Sequence, residues 1–266
     1  MSISVRDLSF GYAASPRTPL HYTPLFDHFS ADLDGGKAGR PLVILGPSGC
    51  GKTTLLKLLG GLLKPAHGEI RFAGEGAGEL AAHSKTAFMF QESRLLPWLT
   101  VLENIALPLE KDFGKEGARA RAKHFLSLVF LDEKERAYPA ELSGGQAQRV
   151  SMARAFAWPT AALFMDEPFQ SLDIPLRISL MDMCLSLNER ENVSQDNAPK
   201  NKRLVVAVTH DPREAIYLGG RIIILGGPGK GIVFDREVGL APADRAYGSA
   251  AAAELERELI THLISA

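Results

Sequence analysis

The sequence predicts an α/β fold, and three observations carry the prediction. Short β-rich runs, most of them continuously apolar and bounded by glycine, recur along the chain; stretches with leucine or isoleucine at helical spacing separate several of them; and one region, about 92–158, is nearly all helical. Strands without alternation belong in a sheet covered on both faces.

Taken in order, "PLVILG" (41–46) reads as the first buried strand, and a leucine-rich helix over 52–63 follows it. "GEIRFAG" (68–74) and "KTAFMFQ" (85–91) are the next strands. Helices are expected over 101–109, 116–130 and 144–157, which together form an inserted lobe. "TAALFMDE" (160–167) is a strand, 174–190 a helix, "RLVVAVTH" (203–210) and "RIIILGG" (221–227) strands, and 249–264 a closing helix in which Leu255, Leu259 and Leu263 fall on one face. The polar stretch "RENVSQDNAPKNKR" (190–203) is expected to be an exposed loop.

Bulk properties remove several classes of function. With 30 basic against 31 acidic residues and a net charge of −1, the chain has no general attraction for nucleic acid or anionic lipid. Cys50 and Cys184 make neither a disulfide framework nor a metal-spaced cluster, which suits a reducing compartment. The start "MSISVRDLSF" is unlike a secretory signal, and the longest apolar runs, such as "LVVAV" (204–208), fall far short of the roughly 18 residues that span a bilayer. Work at a membrane therefore requires a partner that holds the chain there.

"GPSGCGKTT" (46–54) fits G-x-x-x-x-G-K-[ST] through Gly46, Gly51, Lys52 and Thr53, with Pro47, Ser48, Gly49 and Cys50 inside the loop and Thr54 after it. An apolar strand precedes it and a helix follows, the setting in which backbone amides cradle phosphates. Lys52 is then expected to reach the β and γ phosphates, and the Thr53 hydroxyl to bind Mg2+. Asp166 and Glu167 close the strand "TAALFMDE" at the carboxyl edge, where open α/β sheets bind ligands. Successive strand residues point opposite ways, so Asp166 is expected to serve the metal and Glu167 the attacking water. His210, ending "RLVVAVTH", falls on the same edge and is placed to sense the γ-phosphate.

"ELSGGQAQRV" (141–150) starts a helix with Ser143 and Gln146 spaced as a capping box. Gly144 and Gly145 do not help a helix, since each costs roughly 1 kcal/mol against alanine. They do bare the backbone amides of a helix N-terminus, which makes an anion site.

In that order, a phosphate loop, Gln91 after a strand, "LSGGQ", "FMDEP", "SLD" (171–173) and a late histidine, the chain resembles the ATP-binding cassette (ABC) ATPases from about residue 3 to 238. Five fixed residues such as "LSGGQ" arise by chance in fewer than roughly one chain in a thousand of this length. The resemblance implies a single nucleotide-binding domain over 1–266. A RecA-like phosphate-loop core with an antiparallel β subdomain would cover 1–91 and 159–240, a helical subdomain 92–158, and a C-terminal helix 249–264.

It also implies a homodimer in which Ser143, Gly144, Gly145 and Gln146 close over the ATP held by the other copy, with Asp173 at the dimer contact. Gln91 becomes the hinge to the helical lobe and a ligand of Mg2+ or water. Tyr12 takes the place of the adenine-stacking aromatic. The long segment "AASPRTPLHYTP" (13–24) departs from the family pattern and leaves Tyr22 and Phe10 as alternatives. "QESRLLPWLTVLENIALPL" (91–109) and "GGPGKGIVFDREV" (226–238) resemble importers of nitrate, sulfonates or taurine; Leu95, Leu96, Pro97 and Trp98 then fall where a membrane permease would dock, or else belong to the core of the helical lobe. The expected setting is the cytoplasmic side of the inner membrane, peripheral, with permease subunits as direct partners and a solute-binding protein as an indirect one. A soluble cassette ATPase not coupled to transport is the alternative; it predicts coiled-coil insertions, tandem cassettes or a strong basic face, and none is visible.

Overall fold

The structure is a computed structural model that describes residues 1–12, 24–36, 39–73, 86–170, 172–191 and 203–266. Tyr22, Ser171 and most of the expected 190–203 loop lie outside the described residues. The strands are β1 (Ser2–Phe10), β2 (Phe26–Asp34), β3 (Leu42–Leu45), β4 (His67–Ala73), β5 (Thr86–Met89), β6 (Ala162–Asp166), β7 (Leu204–Val208), β8 (Arg221–Leu225) and β9 (Ile232–Glu237). The helices are α1 (Lys52–Leu59), α2 (Val101–Ala106), α3 (Glu110–Leu128), α4 (Gly144–Ala157), α5 (Ile174–Glu191), α6 (Pro212–Leu218) and α7 (Ala250–Ser265).

Two sheets result. The larger runs β5-β6-β7-β3-β8-β9, parallel except for β9 at its edge, and the smaller is antiparallel in the order β2-β1-β4. Every residue of β3, β6 and β7 is buried, which is why these strands, up to Asp166 at the end of β6, read as apolar runs. Their two faces serve different cores. Leu42, Ile44, Phe164, Val206 and Val208 pack with α1 and with Ile3, Val5, Leu8 and Leu33 of the small sheet. Val43, Leu45, Met165 and Ala207 pack with the helices of the opposite layer.

Segment 68–74 departs from the buried-strand expectation. As β4 it pairs with β1 at the edge of the small sheet, and most of its residues are exposed. β1, β2, β9 and α6 match none of the strand or helix runs singled out in the sequence, although the resemblance implies an antiparallel β subdomain where β1 and β2 lie. β1 buries Ile3 and Val5 alternately, then shifts register at Asp7, whose φ of 52° turns Leu8 back inward.

Between β5 and β6 the helices α2, α3 and α4 follow one another, and α3 is interrupted at Gly114 (φ 67°, ψ 171°). Arginines cap the end of α4: Arg203 donates to the carbonyls of Phe156, Trp158 and Thr160, and Arg121 to that of Ala157.

Candidate functional site

β3 delivers the phosphate-loop sequence to the carboxyl edge of the large sheet. Gly46 passes so close to β8 that a Cβ there would lie 2.6 Å from the Leu225 carbonyl oxygen. Gly51 has φ 104°, a left-handed turn into α1 that a side chain would strain, and α1 begins with no side chain capping its amides. Free amides at a helix start attract anions. Lys52 is only 7% exposed and its Nζ donates to the carbonyls of Gly46 (2.8 Å) and Pro47 (2.9 Å), so the ammonium already sits inside the loop. Cys50 is buried beside it, and burial pushes its thiol up, away from the thiolate form.

Thr53 Oγ1 donates to Asp166 Oδ1 at 2.8 Å, joining α1 to the end of β6. Burial raises the Asp166 carboxyl above its ordinary range; the Thr53 hydrogen bond pulls the other way, and the neighbouring Glu167 charge adds to the rise. Glu167 lies one residue past the strand, in the left-handed region at φ 45°. Its N–H donates to the Val208 carbonyl (3.0 Å), and its Oε2 lies 3.2 Å from His210 Nδ1. The two acids thus part company as alternation predicts, with the backbone kink contributing: Asp166 faces Thr53 and Glu167 faces His210. His210 is a correction in detail, since β7 ends at Val208 and the histidine sits on the turn before α6.

Gln91, exposed just past β5, donates through Nε2 to Gln170 Oε1 in the loop that follows Glu167. A second link to that loop was missed: buried Gln148 of α4 donates to the Pro168 carbonyl at 2.5 Å. Tyr12 has its hydroxyl 3.1 Å from Thr54 Oγ1 and its ring edge-on to Phe10.

The glycine segment is built as its spacing predicts. Ser143 Oγ accepts from Gln146 N (3.3 Å) while Gln146 Oε1 accepts from Ser143 N (2.9 Å), a complete capping box. Among the described residues, no hydrogen bond joins Ser143, Gly144, Gly145, Gln146 or Asp173 to Lys52, Thr53, Asp166, Glu167 or His210.

Comparison with known proteins gives the family. The family model described as "ABC transporter" matches residues 35–170. The aliphatic sulfonates import ATP-binding protein SsuB 1 of Xanthomonas axonopodis pv. citri is 39% identical over 230 residues, which are 85% of this chain and 86% of that protein. Its namesake in Mesorhizobium japonicum is 40% identical over 232 residues, 87% of this chain and 81% of that one. The chain belongs to the ABC transporter family. Two solved dimers of the cassette MJ0796, one in a post-hydrolysis state with ADP and Pi, match with a TM-score of 0.70 and 28% identity, covering 90% of this chain and all of theirs.

As an ATP-hydrolysing cassette of that family, the chain answers why two glycines adjoin Ser143 differently at each position. A Cβ on Gly145 would come within 2.6 Å of Leu176 Cδ2 in the same chain, so this glycine lets α4 approach α5. Gly144 faces open space, and its bare backbone is available to a neighbour. Buried Asn104 holds the turn before α2: its Nδ2 donates to the carbonyls of Leu96, Leu99 and Thr100, and its Oδ1 accepts from Leu96 N. Trp98, at the tip of that turn, is 69% exposed. No helix among the described residues is long and apolar enough to cross a membrane.

Proposed function

We propose that this chain is the ATP-hydrolysing subunit of an importer for sulfonates, taurine, nitrate or a similar small solute. It acts as a homodimer, peripheral on the cytoplasmic side of the inner membrane, joined to permease subunits and, through them, to a solute-binding protein. The observation that carries the reading is that Gly144 faces open space, while among the described residues no hydrogen bond ties Ser143–Gly145 to the Lys52–Glu167–His210 edge. A second copy, turned head to tail, supplies the missing half. The names of the relatives from Xanthomonas and Mesorhizobium support the solute class.

In this reading the loop from Gly46 to Thr54 holds the phosphates, and an arriving phosphate replaces the carbonyls that Lys52 now contacts. Tyr12 stacks on the base. Thr53 and Asp166 offer two hard oxygens and, among the described residues, no larger acid or histidine cluster stands nearby. That set suits Mg2+, which shares few protein ligands and takes the rest from phosphates and water, and which offsets phosphate charge when bound; Gln91 adds an amide oxygen at the rim.

Glu167 accepts the proton of the attacking water through the carboxylate oxygen that His210 leaves free. His210 fixes that carboxylate and faces the γ-phosphate. The Gly144 and Gly145 amides of the partner copy complete the grip, and Asp173 lies at the contact. Closure of the dimer, passed through Gln91 and the turn of Trp98, alternates the access of the permease.

Two measurements test this. Turnover per chain is expected to rise with protein concentration until dimers dominate; strictly single chains as active as concentrated ones would rule out the shared site. Reconstituted with its permease and binding protein, the chain is expected to hydrolyse ATP faster when an alkanesulfonate, taurine or nitrate is supplied than with unrelated solutes.

A further inference from the structure

The turn that carries His210 is held from beneath by a polar cluster that no part of the proposed mechanism uses. The His210 side chain is 54% exposed and, among the described residues, its hydrogen-bond partner is Glu167, so its placement depends on the backbone below it. There, Thr209 Oγ1 accepts from Asp211 N (3.1 Å) and donates to buried Glu214 Oε2 (2.5 Å), while Asp211 Oδ1 caps α6 through Arg213 N (2.8 Å). Arg177 reaches across from α5. Its Nη1 lies 2.9 Å from Asp211 Oδ2 and 3.4 Å from Glu214 Oε1. Its Nη2 donates to the Leu172 carbonyl (3.1 Å), and its backbone N–H donates to the Asp173 carbonyl (2.9 Å).

We propose that Arg177 is a positioning residue for hydrolysis: it ties the segment Leu172–Asp173, where a second copy docks, to the turn that presents His210. The inference rests on the roles given to Asp173 and His210 above. A guanidinium suits the task because its rigid fork serves two carboxylates and a carbonyl at once, which a lysine ammonium does not. The cluster is four-fifths buried around Arg177, so the pairing is little screened by water. The fold does not depend on this link alone. Tyr217 Oη donates to Asp182 Oδ1 (2.6 Å) and fastens the same two helices further along. Docking at Asp173 is thereby transmitted to the histidine within one subunit.

The test uses the full chain at concentrations where turnover per chain has reached its plateau, with steady-state hydrolysis across a range of ATP concentrations as the readout. Arg177→Lys keeps the charge and, with Tyr217–Asp182 in place, is expected to keep the melting temperature. Its kcat is expected to fall about tenfold to a hundredfold, the scale of a small misplacement, with the KM for ATP little changed. Arg177→Met is the harsher companion. In the His210→Ala background, Arg177→Lys is expected to cost nothing further, because the residue acts through the histidine. Normal kcat in Arg177→Lys, a loss that adds in full to that of His210→Ala, or a loss that merely follows unfolding overturns the inference. His210→Ala or Glu167→Gln with unchanged turnover overturns instead the reading of the site on which it rests.

Discussion

Glu167 and His210 meet at 3.2 Å from the ends of adjacent strands, and they do so because Glu167 adopts a left-handed backbone that turns its side chain toward the β7 end. Glu167→Gln keeps the shape and an acceptor for His210 but cannot take a proton. ATP binding is expected to survive while turnover falls by about two to four orders of magnitude, the usual scale for a lost general base. Phosphate release assayed beside nucleotide affinity checks it, and near-normal turnover removes Glu167 from the role.

Arg245 contributes to stability at the end of α6, the helix that follows His210. Buried, it donates to the carbonyls of Ile216 and Gly219 at the close of α6 and to those of Val238 and Leu240. Burial, with Arg40 nearby, lowers its pKa to about 10, so it remains charged at neutral pH. Arg245→Met strands those acceptors without water and is expected to cost about 2–4 kcal/mol. Denaturant unfolding should show a lower midpoint at unchanged slope.

The parts of this molecule that the sequence makes legible are those whose cause is local. β3 and β7 are apolar at every position, and β6 at every position before Asp166, because both faces are covered, and the residues from Gly46 to Thr54 are contiguous, so their backbone role is written in one stretch. β1 hides because its register shift at Asp7 breaks the alternation, and α6 because seven residues show too little periodicity. Gln148 meets Pro168, Gln91 meets Gln170, and Arg177 meets Asp211 across 20, 79 and 34 positions of sequence, and no spacing rule reaches that far. The open space at Gly144 and the crowding at Gly145 also look identical in sequence, since the neighbour that separates them, Leu176, lies on another helix.

Trp98 owes its presentation to Asn104. Trp98→Ala is expected to leave the basal ATPase of the isolated chain intact and to weaken solute-stimulated hydrolysis in the reconstituted complex. Asn104→Ala leaves the carbonyls of Leu96, Leu99 and Thr100 without their donor and should both lower stability by about 1–3 kcal/mol and weaken coupling. Equal stimulation in wild type and Trp98→Ala would exclude this turn from the permease contact.

The small sheet carries a pH-dependent pair. His28 (φ 49°) places Nδ1 2.6 Å from Asp7 Oδ1, and its pKa is raised chiefly by that hydrogen bond, then by the charges of Asp7 and Asp27. The folded state therefore binds the proton more tightly than the unfolded chain. The stabilisation is complete below the ordinary value of 6.5 and is lost as pH rises through the raised one. His28→Asn tolerates the left-handed backbone and removes only the charge. Its melting temperature should trail wild type most below pH 6.5 and converge with it at alkaline pH.

Gly144 separates a role between subunits from a role within one. It is helical, and a Cβ there meets nothing within 4 Å in its own chain, so Gly144→Ala has no steric reason to destabilise the monomer. Helix propensity favours alanine by up to about 1 kcal/mol, and the melting temperature should hold or rise. On the proposed reading a second copy closing over a nucleotide needs that space, and a methyl group in it would keep the amides from the phosphate. Turnover at the concentration plateau is expected to fall about tenfold to a hundredfold, while a single chain binds ATP as before. Gly145→Ala is the contrast: the flexible end of Leu176 must first give way inside the chain, so stability and turnover move together. Wild-type turnover in Gly144→Ala would mean that nothing approaches this glycine from outside, and the two half-sites would then have to work without each other.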